Sequence, residues 1–245
     1  MHSRMRSKVM SRKKALVTGG TRGIGLAIAE GLVKSGADVS ITGRTPDKSI
    51  NSDKFRFIEA DFTKIDSTKN LTTIVRESKI DILVNNAGIN KIDSFLDISL
   101  EDFDSIQQVN LYAPFQLCQA AIPWMQENEW GRIVNISSIF GKISRAQRAS
   151  YSASKFGLDG LTVALAAEFA RSNILANSVA PGFVKTDLTE HVLGQEGMEK
   201  MAKTVPLGRL ADPNEIAELV VWLSSSQNTY ISGQNFAIDG GFTRV

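Results

Sequence analysis

Seven short runs rich in Val and Ile recur along the chain, and helix-patterned stretches separate most of them. The runs are KALVT (14–18), DVSIT (38–42), FRFIEA (55–60), DILVN (81–85), RIVNIS (132–137), ILANSVA (174–180) and NFAID (235–239). Helical patterns fill 24–34, 66–78, 99–128 and 151–171. Strands that alternate with helices build a parallel sheet covered on both faces, and right-handed crossovers wind it in two directions. The expected fold is therefore α/β: a single doubly wound Rossmann-type domain with a seven-stranded, mainly parallel sheet and helices on both faces. Only the polar RTPDKSINSDK separates the second and third runs, so the crossover helix there is expected to be short or absent. The stretch 99–128 opens on Ser99 as a cap, with Glu101, Asp102 and Asp104 near the positive helix end. Pro114 and Pro123 are expected to kink or divide it.

The first run passes directly into TGGTRGIG (18–25) and then into a helix beginning at Ile24. Unpaired N–H groups at a helix start carry positive partial charge and favour a pyrophosphate. In this reading Gly19 makes the tight turn, Gly23 lets a cofactor approach the backbone, and Gly25 lets helix and strand pack closely. The second run ends in ITGRT, which puts Gly43 where an acid would bind a ribose 2′-hydroxyl, followed by Arg44. With Arg22 in the glycine turn, two guanidiniums and no carboxylate suit a 2′-phosphate, so NADP(H) is expected over NAD(H).

YSASK places Tyr151 and Lys155 four residues apart, on one helix face. A phenol titrates near pH 10, and a neighbouring ammonium should lower that value and suit the group to protonate a carbonyl oxygen. Ser138, at the end of RIVNIS, is favoured over Ser137 as the hydroxyl that holds the substrate carbonyl.

TGGTRGIG, NNAG (85–88), Asn110 within QVN, Ser138, YSASK and PGFVKT (181–186) together resemble the classical short-chain dehydrogenase/reductases, from Lys13 to the end of the chain. The resemblance is greatest to the 3-oxoacyl-[acyl-carrier-protein] reductases. It implies a catalytic tetrad of Asn110, Ser138, Tyr151 and Lys155, with Asn110 holding a water that relays protons through Lys155. It further implies cofactor contacts from Thr21 and Ile24 in the glycine turn, from Asp61 and Phe62 beside the adenine, and from Asn86, Ala87 and Gly88. Tyr151, Lys155, Pro181, Gly182, Val184 and Thr186 would surround the nicotinamide end. The implied activity is NADPH-dependent reduction of a 3-oxoacyl thioester, free or carried on a carrier protein, in a homotetramer or homodimer.

Two departures stand against that substrate. The arginine expected just before the sixth strand is displaced to Arg171, leaving Arg132 as the candidate carrier contact. The segment IFGKISRAQRAS (139–150) brings Arg145 and Arg148 to the substrate mouth, where they would suit a carboxylate or phosphate. A sugar, polyol or hydroxy-acid dehydrogenase is the alternative within the family, and a catalytically idle dinucleotide sensor the alternative outside it. Residues 187–204 are expected to form a lid of short helices, with His191 at the surface and Met198 and Met201 as lid packing.

The chain has 245 residues, 42% of them hydrophobic and 22% charged, enough for one sizeable core without a linker. The domain is expected to span 13–245, after a disordered tail (1–12) that holds Arg4, Arg6, Lys8 and Arg12. A net charge of +2 gives no support for a nucleic-acid partner. The single cysteine, Cys118, excludes an internal disulfide and fits the reducing cytoplasm. No apolar run approaches 18 residues, so no membrane span is expected. With no Cys/His cluster, no metal site is expected either.

Overall fold

The computed structural model describes residues 10–46 and 53–245, apart from the side chains of residues 187, 188 and 191–193. Residues 1–9 of the expected tail, most of the linker after the second run and the His191 side chain lie outside the described residues. The strands are β1 Lys14–Val17, β2 Asp38–Gly43, β3 Arg56–Glu59, β4 Ile82–Asn85, β5 Gly131–Ile136, β6 Ile174–Pro181 and β7 Asn235–Ile238. Each lies within about a residue of its apolar run. They form one sheet in the order β3-β2-β1-β4-β5-β6-β7, and every neighbouring pair is parallel. The order reverses beside β1, so a crevice opens at the carboxyl ends of β1 and β4.

The α-helices are α1 Gly23–Lys34, α2 Ile65–Ser78, α3 Leu100–Gln107, α4 Ala113–Glu127, α5 Ala149–Phe169, α6 Asp187–Ala202 and α7 Pro213–Leu223. Helices α1 and α7 bury Ile28, Leu32, Ile216 and Val220 against one face of the sheet. Leu71 and Val75 of α2, Leu117 and Met125 of α4 and Leu165 of α5 fill the other. Among the described residues no helix is long and apolar enough to cross a membrane.

Ser99 caps α3 as expected, accepting the Asp102 N–H at 3.1 Å. The long helical stretch divides at a π turn, Gln108–Tyr112. Pro114 explains the place: it has no N–H for the Asn110 carbonyl, and its ring would clash there in a regular helix. The wider π turn relieves both. Pro123, by contrast, sits inside α4 without dividing it. Helix α6 is broken at Gly194, whose φ is 62°.

The folded part begins earlier than residue 13. Met10 is 1% exposed within the α1 cluster, and its N–H donates to the Ser35 carbonyl at 3.2 Å. The short stretch around Met10, with Val9 and Ser11 between basic residues, has no periodicity to reveal it.

A buried polar chain ties α5 to the sheet. The Asn85 amide donates to Asn135 Oδ1 and the Asn135 amide to Thr162 Oγ1, both at 2.8 Å, and Thr162 and Ser178 share a hydroxyl contact of 2.8 Å. These four residues come from β4, β5, α5 and β6, and none is more than 2% exposed. Removing one member strands its partners in a dry interior. Asn135→Ala is therefore expected to cost about 2–4 kcal/mol, a fall in Tm of about 5–15 °C by calorimetry. An unchanged Tm would show that the chain carries no stability.

Candidate active site

At the crevice, β1 turns through Gly19 and Gly23, both left-handed at φ 63° and 53°, into α1. The turn is welded to NNAG. Thr18 Oγ1 accepts the N–H groups of Asn86 and Ala87 at 2.9 and 3.0 Å, while Asn86 Nδ2 donates to the carbonyls of Thr18 and Gly19 at 2.9 and 3.1 Å. A Cβ at Gly25 would overlap the Gly19 carbonyl, in line with the close-packing role read from the sequence.

Over this floor lies a cavity of about 320 Å³. Of the expected cofactor residues, Gly19, Thr21, Arg22, Gly23, Ile24, Gly25, Arg44, Asp61, Phe62, Asn86, Ala87, Gly88 and Thr186 line it. Gly43, which the sequence marks as the position facing the ribose, lines it as well, and so do Thr42, Ala60, Thr63, Ile89 and Val109, which sequence reasoning missed. Most of these lie next to named strand ends; Val109, inside a helix, left no such signal. Tyr151, Lys155, Pro181, Gly182 and Val184 are not in its wall. Pro181 ends β6, the Gly182 N–H donates to the Ile238 carbonyl at 2.9 Å, and the Val184 side chain is packed into the core.

Arg22 and Arg44 stand exposed on the cavity rim. A Cβ at Gly43 would come within 2.6 Å of the Thr21 methyl, so a carboxylate there would require Thr21 to move. Asp61 is held below the ordinary carboxylate value chiefly by the Thr63 hydroxyl, which donates at 2.7 Å, with help from the Thr63 N–H and the charges of Lys64 and Arg44.

The proton-transfer candidates gather at the end of β5. Ser138 caps the short turn Ile139–Gly141, its hydroxyl accepting the Phe140 N–H at 3.1 Å, and it stands close enough to Tyr151 to pull the phenol's pKa down. Ser137 points elsewhere, donating to the Lys155 carbonyl at 3.4 Å, which separates the two serines. Lys155 is 3% exposed, and its Nζ donates to the Ile136 carbonyl at 2.9 Å. That nitrogen is 3.6 Å from where a Gly88 Cβ would stand, so it reaches the cavity edge. Asn110, wholly buried in the π turn, accepts the Ile89 N–H and donates to the Ile89 carbonyl, both at 2.9 Å, and donates to Ser154 Oγ at 3.0 Å. Its amide thus clamps the backbone beyond Gly88 to α5.

One expectation reverses. The sequence reading has an ammonium lower the Tyr151 phenol, but burial raises it above its ordinary value and outweighs the Ser138 hydrogen bond and the Arg148 charge, which pull it down. Lys155 stands with its Nζ 5.6 Å from the ring centre, and burial pushes its own pKa down to about 8.

Arg132 is corrected as a carrier contact. It is 2% exposed and donates to the carbonyls of Ser225, Gly131, Asn173 and Asn228, with burial pushing it down to about 10. Cys118 is buried, and its thiol is pushed up to about 12 by burial, which makes it inert. Among the described residues no group of three His, Cys, Asp or Glu comes together to hold a metal ion.

A family model described as Enoyl-(Acyl carrier protein) reductase matches residues 19–243. The 3-oxoacyl-[acyl-carrier-protein] reductase FabG of Aquifex aeolicus is 40% identical over 240 residues, 94% of this chain and 96% of that protein. The chain belongs to the short-chain dehydrogenase/reductases. Within this family of oxidoreductases, the acetoacetyl-CoA reductase of Cupriavidus necator is 36% identical over 95% of this chain and 98% of its own. A proposed NAD(P)-dependent gluconate 5-dehydrogenase from Beutenbergia cavernae, solved with bound NADP, superimposes with a TM-score of 0.91 at 32% identity, covering 97% of this chain and 99% of that one.

The lysine gives a signed prediction. Its folded-state pKa of about 8 lies below the ordinary 10.5, so the folded state holds the proton less tightly and stability rises with pH across that window. Lys155→Met in the cofactor-free protein loses the Ile136 hydrogen bond at every pH, so its Tm relative to wild type should be higher at pH 7 than at pH 9.5 by the relief of an ionisation penalty of about 3 kcal/mol at most. Equal shifts at both pH values would place the ammonium in an environment as favourable as water.

Proposed function

We propose that this oxidoreductase reduces a ketone to a secondary alcohol with NADPH, and that the ketone is a 3-oxoacyl thioester held on acyl carrier protein or CoA. The observation that carries the chemistry is the meeting of Ser138, Tyr151 and Lys155 at the end of β5, at the edge of a cavity whose rim carries Arg22 and Arg44. The glycine turn fits a pyrophosphate, and Thr21 fills the space that an acidic side chain at position 43 would need. Arg22 and Arg44 would hold the 2′-phosphate, and the relative solved with bound NADP supports that choice. NADPH, when bound, supplies the hydride for the carbonyl carbon. Tyr151 donates its proton to the carbonyl oxygen, which Ser138 orients. Burial alone makes the phenol a weaker acid, so the role depends on neighbouring cations that favour the phenolate as the proton leaves. Lys155 and Arg148 stabilise the phenolate that remains, and Asn110 holds the pocket wall beside them.

The relatives named for 3-oxoacyl-carrier-protein and acetoacetyl-CoA reduction favour the thioester. A second reading, a sugar-acid or hydroxy-acid dehydrogenase, is favoured by Arg145 and Arg148 around Phe140 beside Tyr151. Helix α6, broken at Gly194, would serve as the substrate lid. The exposed Tyr112, Phe115, Phe156 and Val163 support pairing of α4 and α5 between copies in a dimer or tetramer. The same reading sets the reaction in the cytoplasm.

Tyr151→Phe should lower NADPH-dependent turnover of acetoacetyl-CoA by about 10²–10⁴-fold and leave NADPH affinity, read by fluorescence titration, unchanged. A variant with wild-type turnover would remove Tyr151 from the chemistry. Arg44→Ala should raise KM for NADPH about 10- to 100-fold through loss of a charge-assisted pair, with no change in KM for NADH. Equal effects on the two cofactors would contradict the 2′-phosphate assignment. Activity on gluconate but not on acetoacetyl-CoA would favour the second reading.

A further inference from the structure

The loop between the Ile139–Gly141 turn and α5 carries two arginines, more charge than stabilising the Tyr151 phenolate requires. Arg145 and Arg148 both approach the ring of Phe140, their guanidinium carbons 5.6 and 5.2 Å from its centre. Phe140 is 6% exposed and belongs to the turn that Ser138 caps, so the ring is set by the same backbone that positions the substrate hydroxyl. Arg148 is half-buried, three residues ahead of Tyr151. Its Nε is sealed from solvent and has no hydrogen-bond acceptor.

That differs from how this protein treats its other buried arginine. Arg132 spends its donors on four backbone carbonyls. Arg145 repels Arg148, and Tyr151 attracts it only as the phenolate. The loop is nevertheless held in place. Ser144 and Ser152 hydroxyls meet at 2.8 Å, Lys142 Nζ donates to the Asn235 carbonyl at 2.9 Å, and Gln147 sits in the left-handed region at φ 67°. Backbone strain next to a buried, unmatched donor is the pattern of a binding group kept in place ahead of its ligand.

We propose that Arg148, assisted by Arg145, forms an anion subsite beside the reacting carbonyl and takes a carboxylate or phosphate group of the substrate. The proposal rests on the reading of Tyr151 as proton donor, because Arg148 stands three residues before it and its charge acts on the phenol. A 3-oxo acid carries its carboxylate two carbons from the ketone. A thioester offers only a neutral carbonyl oxygen at the same position, a weaker acceptor for a guanidinium. The subsite therefore raises the ranking of a free oxo acid relative to a neutral thioester with the same ketone.

Acetoacetate and acetoacetyl-N-acetylcysteamine form the matched pair. Rates are compared for wild type, Arg148→Met and the charge-keeping Arg148→Lys. Any effect of Arg148 on the phenol falls on both substrates and cancels in the ratio. Arg148→Met should lose about tenfold or more in kcat/KM on acetoacetate beyond its loss on the thioester, mainly through KM, with Arg148→Lys recovering part. In parallel, melting shifts induced by acetoacetate and by inorganic phosphate are compared between wild type and Arg148→Met. A shift lost in the variant with acetoacetate assigns a carboxylate subsite, and one lost with phosphate alone assigns a phosphate subsite. Equal rate losses on both substrates, with melting shifts identical in wild type and variant, overturn the proposal. A wild type inert toward both ketones, with the Arg148-dependent melting shift intact, defeats the Tyr151 reading and upholds the subsite.

Discussion

The seating of α5 on the carboxyl ends of the central strands is the constraint on which the site depends. Two buried features fasten it: the Lys155 ammonium on the Ile136 carbonyl, and the polar chain that runs from Asn85 through Asn135 and Thr162 to Ser178. A hydrophobic contact alone would let the helix rotate or slide, since dispersion has little directionality. Hydrogen bonds in a dry interior fix both rotation and height, because each wrong register strands a donor. Tyr151 and Lys155 are thereby set one helical turn apart over the end of β5, where Ser138 begins its own short turn.

The second half of the site is built by a different device. The glycine turn has few side chains of its own, and its shape is held from outside by Thr18 and Asn86. Asn110 then connects the two halves. Its amide grips both polar groups of Ile89 and the Ser154 hydroxyl, so the wall after β4 and the proton-transfer helix move as one. Pro114 makes this possible by forcing the π turn that places residue 110 out of helical register.

Much of this was legible in the sequence, for physical reasons. Strand positions follow from runs such as ILANSVA, because a parallel sheet buried on both faces requires continuous apolar residues. The glycine turn and the Tyr151/Lys155 pair are local spacings, and local geometry turns spacing into contact. What stayed hidden was set by the tertiary environment. Arg132 looks like a surface cation until four carbonyls close around it, and Met10 looks like tail until it meets α1. The direction of the Tyr151 shift was misread because spacing shows the neighbouring cation and not the depth of burial, and here burial is the larger effect. The π turn was visible only as a proline whose consequence could have been a kink, a break or nothing, and Pro123 shows the last of these.

The most direct measurement is a crystal structure of the complex with NADPH, read for the position of the nicotinamide ring relative to the Tyr151 hydroxyl. With the pyrophosphate over Gly19 to Gly25 and the 2′-phosphate between Arg22 and Arg44, the ring should lie beside Lys155, leaving room for one carbonyl group between its C4 and the phenol. A ring turned away from α5, or a cofactor bound elsewhere with the cavity over the glycine turn empty, would contradict the union of the two halves into one catalytic site.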